Sequence, residues 1–108
     1  MIYSIGEIQK IVTPIAIKYE LKAVYLFGSY ARGVADESSD IDLLIDTTST
    51  SLTSLFKLGM LYSELQSVLN KELDLVTLSS IEQNMNKQSG INFMNEVEKE
   101  KVSLYAAA

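Results

Sequence analysis

Two apolar runs flank a Gly-Ser turn and a pair of aspartates in residues 26–46, which read LFGSYARGVADESSDIDLLID. The first run stops at Gly28-Ser29, and ten residues later Asp40 and Asp42 open the second run. Because residues two apart in a strand point to the same face, the two carboxylates should lie side by side. Neighbouring carboxylates raise each other's pKa unless a cation lies between them. The stretch therefore predicts two strands that meet at a cation site.

The Gly-Ser turn has the composition of a phosphate-binding turn. Glycine lets the backbone approach a phosphate closely, and the amides at the start of a helix attract anions. Mg²⁺ binds oxygen ligands, usually one or two carboxylates together with substrate phosphates. Gly28 and Ser29 are thus candidate phosphate ligands, and Asp40 and Asp42 are candidate metal ligands. A simpler interpretation of Ser29 is a helix cap.

A third aspartate lies in a segment with strand periodicity. Residues 72–77 alternate polar and apolar side chains, with Asp74 near the centre. If this strand pairs beside residues 41–45, Asp74 joins Asp40 and Asp42 in a three-aspartate cluster. Such a cluster suits a two-metal phosphoryl-transfer or nucleotidyl-transfer site, with ions about 3.5–4 Å apart. Taken singly, Asp40 could be a turn residue and Asp74 a solvent-facing strand residue.

Arg32 is the only arginine, against eight lysines. A surface charge could have been lysine here as elsewhere, whereas bidentate phosphate contact needs the planar fork of a guanidinium. We therefore interpret Arg32 as a candidate phosphate ligand. The simpler alternative is a salt bridge to Asp36 or Glu37 in the adjacent loop.

The joint spacing of these residues resembles a known family. Phe27-Gly28-Ser29, Ala31-Arg32-Gly33 and residues 39–43 (SDIDL) are similar to the signature of the DNA polymerase β-like nucleotidyltransferases. The strongest resemblance is to the minimal nucleotidyltransferase (MNT) antitoxins of HEPN/MNT modules, and Asp74 and the closing residues 93–105 also fit. The resemblance implies an α/β (α+β) fold with a small mixed β-sheet and helices packed on it.

The same resemblance implies an activity and a partner. The enzyme would move AMP from ATP, with two Mg²⁺ ions, to an acceptor hydroxyl, in particular a tyrosine of a HEPN-type ribonuclease toxin. The metal ligands would be Asp40, Asp42 and Asp74. The β- and γ-phosphates would lie at Gly28 and Ser29, and Arg32 would neutralise the leaving pyrophosphate.

Two other functions stay open from the residues. One is a non-catalytic antitoxin or binding module that acts by occlusion alone. The other is a small-molecule (aminoglycoside-like) nucleotidyltransferase, which would need a second domain or a dimer to build its acceptor pocket. The complete set of glycine, serine, arginine and three aspartates favours an enzyme.

Composition narrows the chemistry further. With nine basic and 14 acidic residues the net charge is −5, and the basic residues are scattered, which disfavours nucleic-acid binding. The chain has no histidine and no cysteine, so a general base must be a carboxylate, a lysine or water. The apolar share of 47% indicates a folded globular chain. We see no membrane span or signal peptide and expect a cytoplasmic protein, free or as a homo-oligomer.

A length of 108 residues predicts a single domain over 1–105, with 106–108 as a tail or cloning remnant. Helical spacing after a capping box at Ser4–Glu7 predicts a first helix with a kink or restart at Pro14. The other predicted elements are strands at 22–27, 41–46 and 72–77, helices at 29–32, 52–70 and 91–99, and an extended end at 102–105. We also expect a short helix capped by Ser79-Ser80, a break near Gly90, and close packing of Gly59 against the sheet. The helices should form two or three layers with the sheet, mainly on one side.

Overall fold

The computed structural model describes residues 2–48, 55–83 and 88–107. In chain order the elements are α1 Ile5–Lys18, β1 Ala23–Phe27, α2 Gly28–Arg32, β2 Ile41–Asp46, α3 Leu55–Leu69, β3 Leu73–Thr77, α4 Leu78–Gln83, α5 Gln88–Glu100 and β4 Val102–Ala106. The three predicted strands and the predicted α/β class are confirmed. None of the helices in the described ranges is long and apolar enough to cross a membrane.

The four strands form one mixed sheet in the order β3-β2-β1-β4. β1 runs antiparallel to both β2 and β4, whereas β2 and β3 are parallel. β3 is therefore an edge strand of this sheet. The small mixed sheet and the pairing of residues 41–45 with β3 are both as predicted from the sequence.

Alternation along the strands gives the sheet two different faces. One face carries the larger apolar core, where α1 and α3 pack on alternate strand residues. Its fully buried side chains include Ile8, Val12, Leu26, Ile41, Leu43, Ile45, Leu61, Leu65 and Leu69. The opposite face has a smaller cluster of Phe27, Leu44 and Val97, with Phe93 of α5 packed against it. Helices cover both faces, so the domain has three layers, with most of its core on one side.

The first helix begins as predicted but continues further than expected. Ser4 and Glu7 form a capping box, in which each side chain accepts a hydrogen bond from the other residue's amide, at 3.1 and 2.8 Å. Pro14 lies inside α1, so the predicted restart is wrong. The reason is packing on both sides of the proline, because the buried residues Val12 and Ile15 bind both halves to the same core.

The expectations for the second half of the chain need three corrections. Gly90 lies inside α5, so the predicted break is wrong. Ser80 lies inside α4 and its amide donates to the Thr77 hydroxyl at 3.1 Å, so Thr77 rather than the serine pair caps this helix. Gly59 is exposed, and a Cβ there would meet nothing within 4 Å, so it is not a packing glycine.

Two further comparisons with prediction concern the start of the third helix and the end of the last strand. The predicted start of the third helix, at residues 52–54, lies outside the described residues. β4 extends to Ala106, which pairs with Ala23, and the Ala107 amide donates to the Lys22 carbonyl at 2.8 Å. The division of the chain at residue 105 stays a prediction.

Candidate functional site

Two of the three aspartates lie side by side near the start of β2, and the third is close in the chain. The parallel register places Asp42 opposite Asp74, and Asp40 lies one residue before the strand begins. Strand alternation turns Asp42 and Asp74 away from the larger core, toward the face that carries α5. Asp42 is half-buried, whereas Asp40 and Asp74 are exposed. The predicted pairing of Asp42 with Asp74 is confirmed, whereas the three-aspartate metal site stays a prediction.

Gly28 directly adjoins the Asp42 carboxylate. β1 and β2 pair Phe27 with Asp42, so the chain turns away at Gly28 immediately beside this aspartate. Gly28 has a φ of +75°, and a Cβ built there would lie 2.1 Å from Asp42 Oδ2 and 3.0 Å from its Cγ. The carboxylate thus occupies the volume that any other side chain would fill. Glycine is required here both for the turn and for the aspartate.

The short helix α2 begins at Gly28 with an open end. Its N-cap is Phe27, which makes no side-chain capping hydrogen bond. Ser29 lies inside the helix and is half-buried, so the interpretation of Ser29 as the cap is wrong. Because the amides of a first helical turn have no partner within the helix, they are available to an anion.

The electrostatic environment of Asp42 is unfavourable for its charge. Burial, and then the neighbouring carboxylates of Asp74 and Asp40, raise the pKa of Asp42 to about 6. Arg32 lowers it and Glu100 raises it by smaller amounts. A cation bound at these carboxylates would remove the repulsion. The site therefore has the charge expected of a cation site.

The donor set fits Mg²⁺ bound together with a phosphate. All candidate ligands are hard carboxylate oxygens, and Mg²⁺ typically takes one or two of these and completes its shell with water and substrate phosphates. Within the described ranges, no three acidic side chains come close enough to hold an ion by themselves. The Asp42–Asp74 pair accordingly provides part of a ligand shell that a nucleotide would complete.

Arg32 has a partner that the sequence did not indicate. Its Nη1 donates to both carboxylate oxygens of Glu100, at 3.2 and 3.1 Å. The alternative prediction of a salt bridge from Arg32 to Asp36 or Glu37 is wrong. Asp36 instead accepts hydrogen bonds from Ser38 and Ser39 in its own turn, and these bonds lower the pKa of Asp36. Arg32 and Glu100 are 68 residues apart, so no local pattern could have connected them.

Comparison with known sequences shows the family. The sequence model of the nucleotidyltransferase domain matches residues 8–100. A Methanocaldococcus jannaschii relative, described as a candidate protein adenylyltransferase, is 42% identical over 78 residues, or 72% of this chain and 82% of that protein. The protein adenylyltransferase MntA of Thermococcus cleftensis is 36% identical over 70 residues, or 65% of this chain and 69% of that protein. In three further M. jannaschii relatives the match spans 63–64% of their length.

Solved structures share the fold. A chain of a toxin-antitoxin complex crystallised with AMP-PNP aligns with a TM-score of 0.70 and 24% identity, over 92% of this chain and 73% of that chain. A chain from the tri-AMPylated HEPN toxin of Shewanella oneidensis in complex with its MNT antitoxin aligns with a TM-score of 0.56, 24% identity and the same coverage. The family match, the shared fold and the aspartates beside Gly28 lead to one conclusion. The chain belongs to the nucleotidyltransferase family of enzymes.

Proposed function

We propose that this enzyme transfers AMP from ATP to a tyrosine hydroxyl of a HEPN-type ribonuclease toxin, and so acts as its antitoxin. The observation that carries the proposal is the Asp42–Asp74 pair beside Gly28, near the starts of β2 and β3. The relatives named as protein adenylyltransferases, and the neighbouring complexes that contain AMP-PNP or an AMPylated HEPN toxin, support it.

The nucleotide would bind between α2 and the aspartates. The uncapped amides at Gly28 and Ser29 would hold the β- and γ-phosphates, which the Ser29 hydroxyl could also contact. Arg32, at the other end of this five-residue helix, would balance charge on the departing pyrophosphate. The short helix would therefore bring two kinds of hydrogen-bond donor, backbone amides and a guanidinium, to the phosphates.

Asp40, Asp42 and Asp74 would hold the metal. Mg²⁺ bound there supplies Lewis-acid polarisation of the phosphate and neutralises developing charge. The oxygen-only donor set and the repulsion felt by Asp42 both suit this ion.

The reaction itself exchanges one P–O bond for another. The acceptor hydroxyl oxygen forms a bond to the α-phosphorus, and the bond to the bridging oxygen breaks to release pyrophosphate. The hydroxyl proton passes to a carboxylate or to water, because the chain contains no histidine. Asp74 is exposed on the edge strand, so an acceptor can approach from its side of the sheet.

A protein partner would supply the acceptor hydroxyl and its orientation. Orientation of an acceptor near the α-phosphate can lower the activation barrier by about 7–11 kcal/mol. The net charge of −5 argues against a nucleic-acid acceptor. A toxin that docks on the site would both provide the hydroxyl and hold it in place.

The test is intact-mass spectrometry of the enzyme mixed with a HEPN-type ribonuclease toxin, in the presence of Mg²⁺ and ATP. We expect the partner to gain one or more AMP groups, and the gain to disappear with Asp42→Asn. Asp46→Asn, a similar substitution in the same strand outside the proposed site, should leave transfer intact. A partner that is bound and inhibited but unmodified would support occlusion alone, and AMP on an aminoglycoside instead would support a small-molecule transferase.

A further inference from the structure

We propose that Glu100 is a positioning residue that holds Arg32 ready for the triphosphate. The inference rests on the proposed function, since it concerns how that site binds its nucleotide. Glu100 is the last residue of α5, and its carboxylate accepts hydrogen bonds at 3.1 and 3.2 Å from Arg32 at the end of α2. The pair thus links the nucleotide-binding helix to a helix distant in sequence.

The contact occupies one end of the guanidinium and leaves the other end available. Both Glu100 oxygens bind Nη1, and in the part of the chain that the structure describes Nε and Nη2 make no hydrogen bond. Arginine has five N–H donors in a rigid fork. Arg32 can therefore keep its bond to Glu100 while its remaining donors face a phosphate.

Arg32 needs such support because it is otherwise unconstrained. Its side chain is 51% exposed, whereas that of Glu100 is 20% exposed. A long exposed side chain loses rotamer freedom when it binds a ligand, and that loss weakens binding. A partner that orders the arginine beforehand reduces this loss.

Glu100 is itself firmly placed by α5. Val97, one turn earlier, is 1% exposed and packs against Phe27 and Leu44 on the sheet. Phe93, a further turn earlier, makes an edge-on contact with the Phe27 ring, with centroids 5.6 Å apart. Because Phe27 directly precedes Gly28, the same packing fixes α5 relative to the proposed phosphate turn.

The positioning role and simple electrostatics predict opposite changes in nucleotide affinity when the Glu100 carboxylate is removed. Its carboxylate adds negative charge near Asp42, so on charge alone its removal should strengthen binding of an anionic nucleotide. If Glu100 orders Arg32, its removal should weaken binding instead. The sign of the change therefore decides between the two effects.

The experiment is calorimetric titration of Mg·ATP into the full chain and its variants. We expect Glu100→Ala to raise Kd about tenfold, and Glu100→Gln, which retains one acceptor oxygen, to raise it less. Glu98→Ala is the matched control, because Glu98 has the same charge in the same helix and pairs with Lys101 instead. It should leave Kd within about twofold of the parent value. In an Arg32→Ala background, Glu100→Ala should not raise Kd further, because only its charge effect remains.

Three results would overturn the inference. The first is a lower or unchanged Kd in both Glu100 variants. The second is a loss of Mg·ATP affinity on Glu100→Ala that is as large in the Arg32→Ala background as in the parent. The third is a loss of affinity in Glu98→Ala as large as that in Glu100→Ala. Urea unfolding of each variant separates these effects from a damaged fold, and Glu100→Gln keeps the side-chain volume. If the parent protein does not bind Mg·ATP at all, the proposed function fails and the inference with it. If the parent binds and Glu100 has no influence, only the inference fails.

Discussion

At the scale of single residues, the tightest constraint is the shared space of Gly28 and Asp42. The glycine has a left-handed φ, and its missing side chain leaves room for the aspartate carboxylate. Asp42 is in turn held by pairing on both sides, with Phe27 across one strand and Asp74 across the other. Gly28 therefore cannot accept a side chain while the Asp42 carboxylate keeps its position.

Substitution of Gly28 tests this dependence. Gly28→Ala should destabilise the fold by about 2–3 kcal/mol, because the new methyl group would overlap Asp42 in addition to the backbone strain at positive φ. Mg·ATP binding should be lost with it. Gly33→Ala is the control, because Gly33 has a φ of +76° but open space around a Cβ. Urea unfolding should give it only the strain cost of about 1 kcal/mol. Equal effects of the two substitutions would contradict the proposed clash.

The raised pKa of Asp42 predicts a pH-dependent stability. The folded state favours the protonated form of Asp42. The carboxylate therefore does not lower the free energy of unfolding below the unfolded pKa near 4, and it lowers it by the full amount above about pH 6. In a chelator, Asp42→Asn should therefore stabilise the protein by about 1 kcal/mol at pH 7.5, allowing for partial solvent exposure. The gain should shrink toward pH 4. Urea unfolding at the two pH values measures it, and a gain that grows as pH falls would be inconsistent with this origin.

The acidic residues of the candidate site could be predicted from the sequence, but not all of the contacts around them could. The three aspartates follow from spacing and strand alternation, which are local properties. The overlap between Gly28 and Asp42, and the bond between Arg32 and Glu100, depend on tertiary packing between residues distant along the chain. Such contacts leave no periodic signal in a single sequence.

At the scale of elements, the strands were predictable and the helix interruptions were not. Each strand has a compact apolar pattern between polar turns, and the observed bounds differ from prediction by one residue or less. Pro14 predicted a kink or restart and Gly90 a break, yet each lies inside a helix. Local propensity is weak compared with burial of an apolar helix face, so packing prevails at both positions.

The intact helix around Pro14 predicts a stabilising substitution. Proline cannot donate the hydrogen bond that an α-helix would make to the carbonyl of Lys10. Pro14 is exposed, so alanine would restore that bond without loss of packing. Pro14→Ala should raise the free energy of unfolding by about 1–3 kcal/mol, measured in urea. Lys10→Ala, also exposed in α1, should change it by less than about 0.5 kcal/mol. A Pro14→Ala variant no more stable than the parent would show that the proline is accommodated without cost.

At the scale of the whole molecule, the candidate site and the larger apolar core lie on opposite faces of the sheet. The α1 and α3 side holds most of the buried apolar residues, whereas the α5 side holds the aspartates, Gly28 and the Arg32–Glu100 pair. The order of β3 and β2 could be inferred from the expected meeting of aspartates. The position of β4 beside β1 could not, because the pairing of an extended C-terminal segment has no local determinant.

The most direct test of the central claim is calorimetry of ATP binding by the chain alone. We propose that the carboxylates and the phosphate-binding amides form one site, in which metal and nucleotide each complete the other's environment. We predict weak ATP binding in chelator, binding strengthened at least about tenfold by Mg²⁺, and loss of that gain in Asp42→Asn but not in Asp46→Asn. Equal ATP affinity with and without Mg²⁺, or a full magnesium effect in the Asp42→Asn protein, would contradict it.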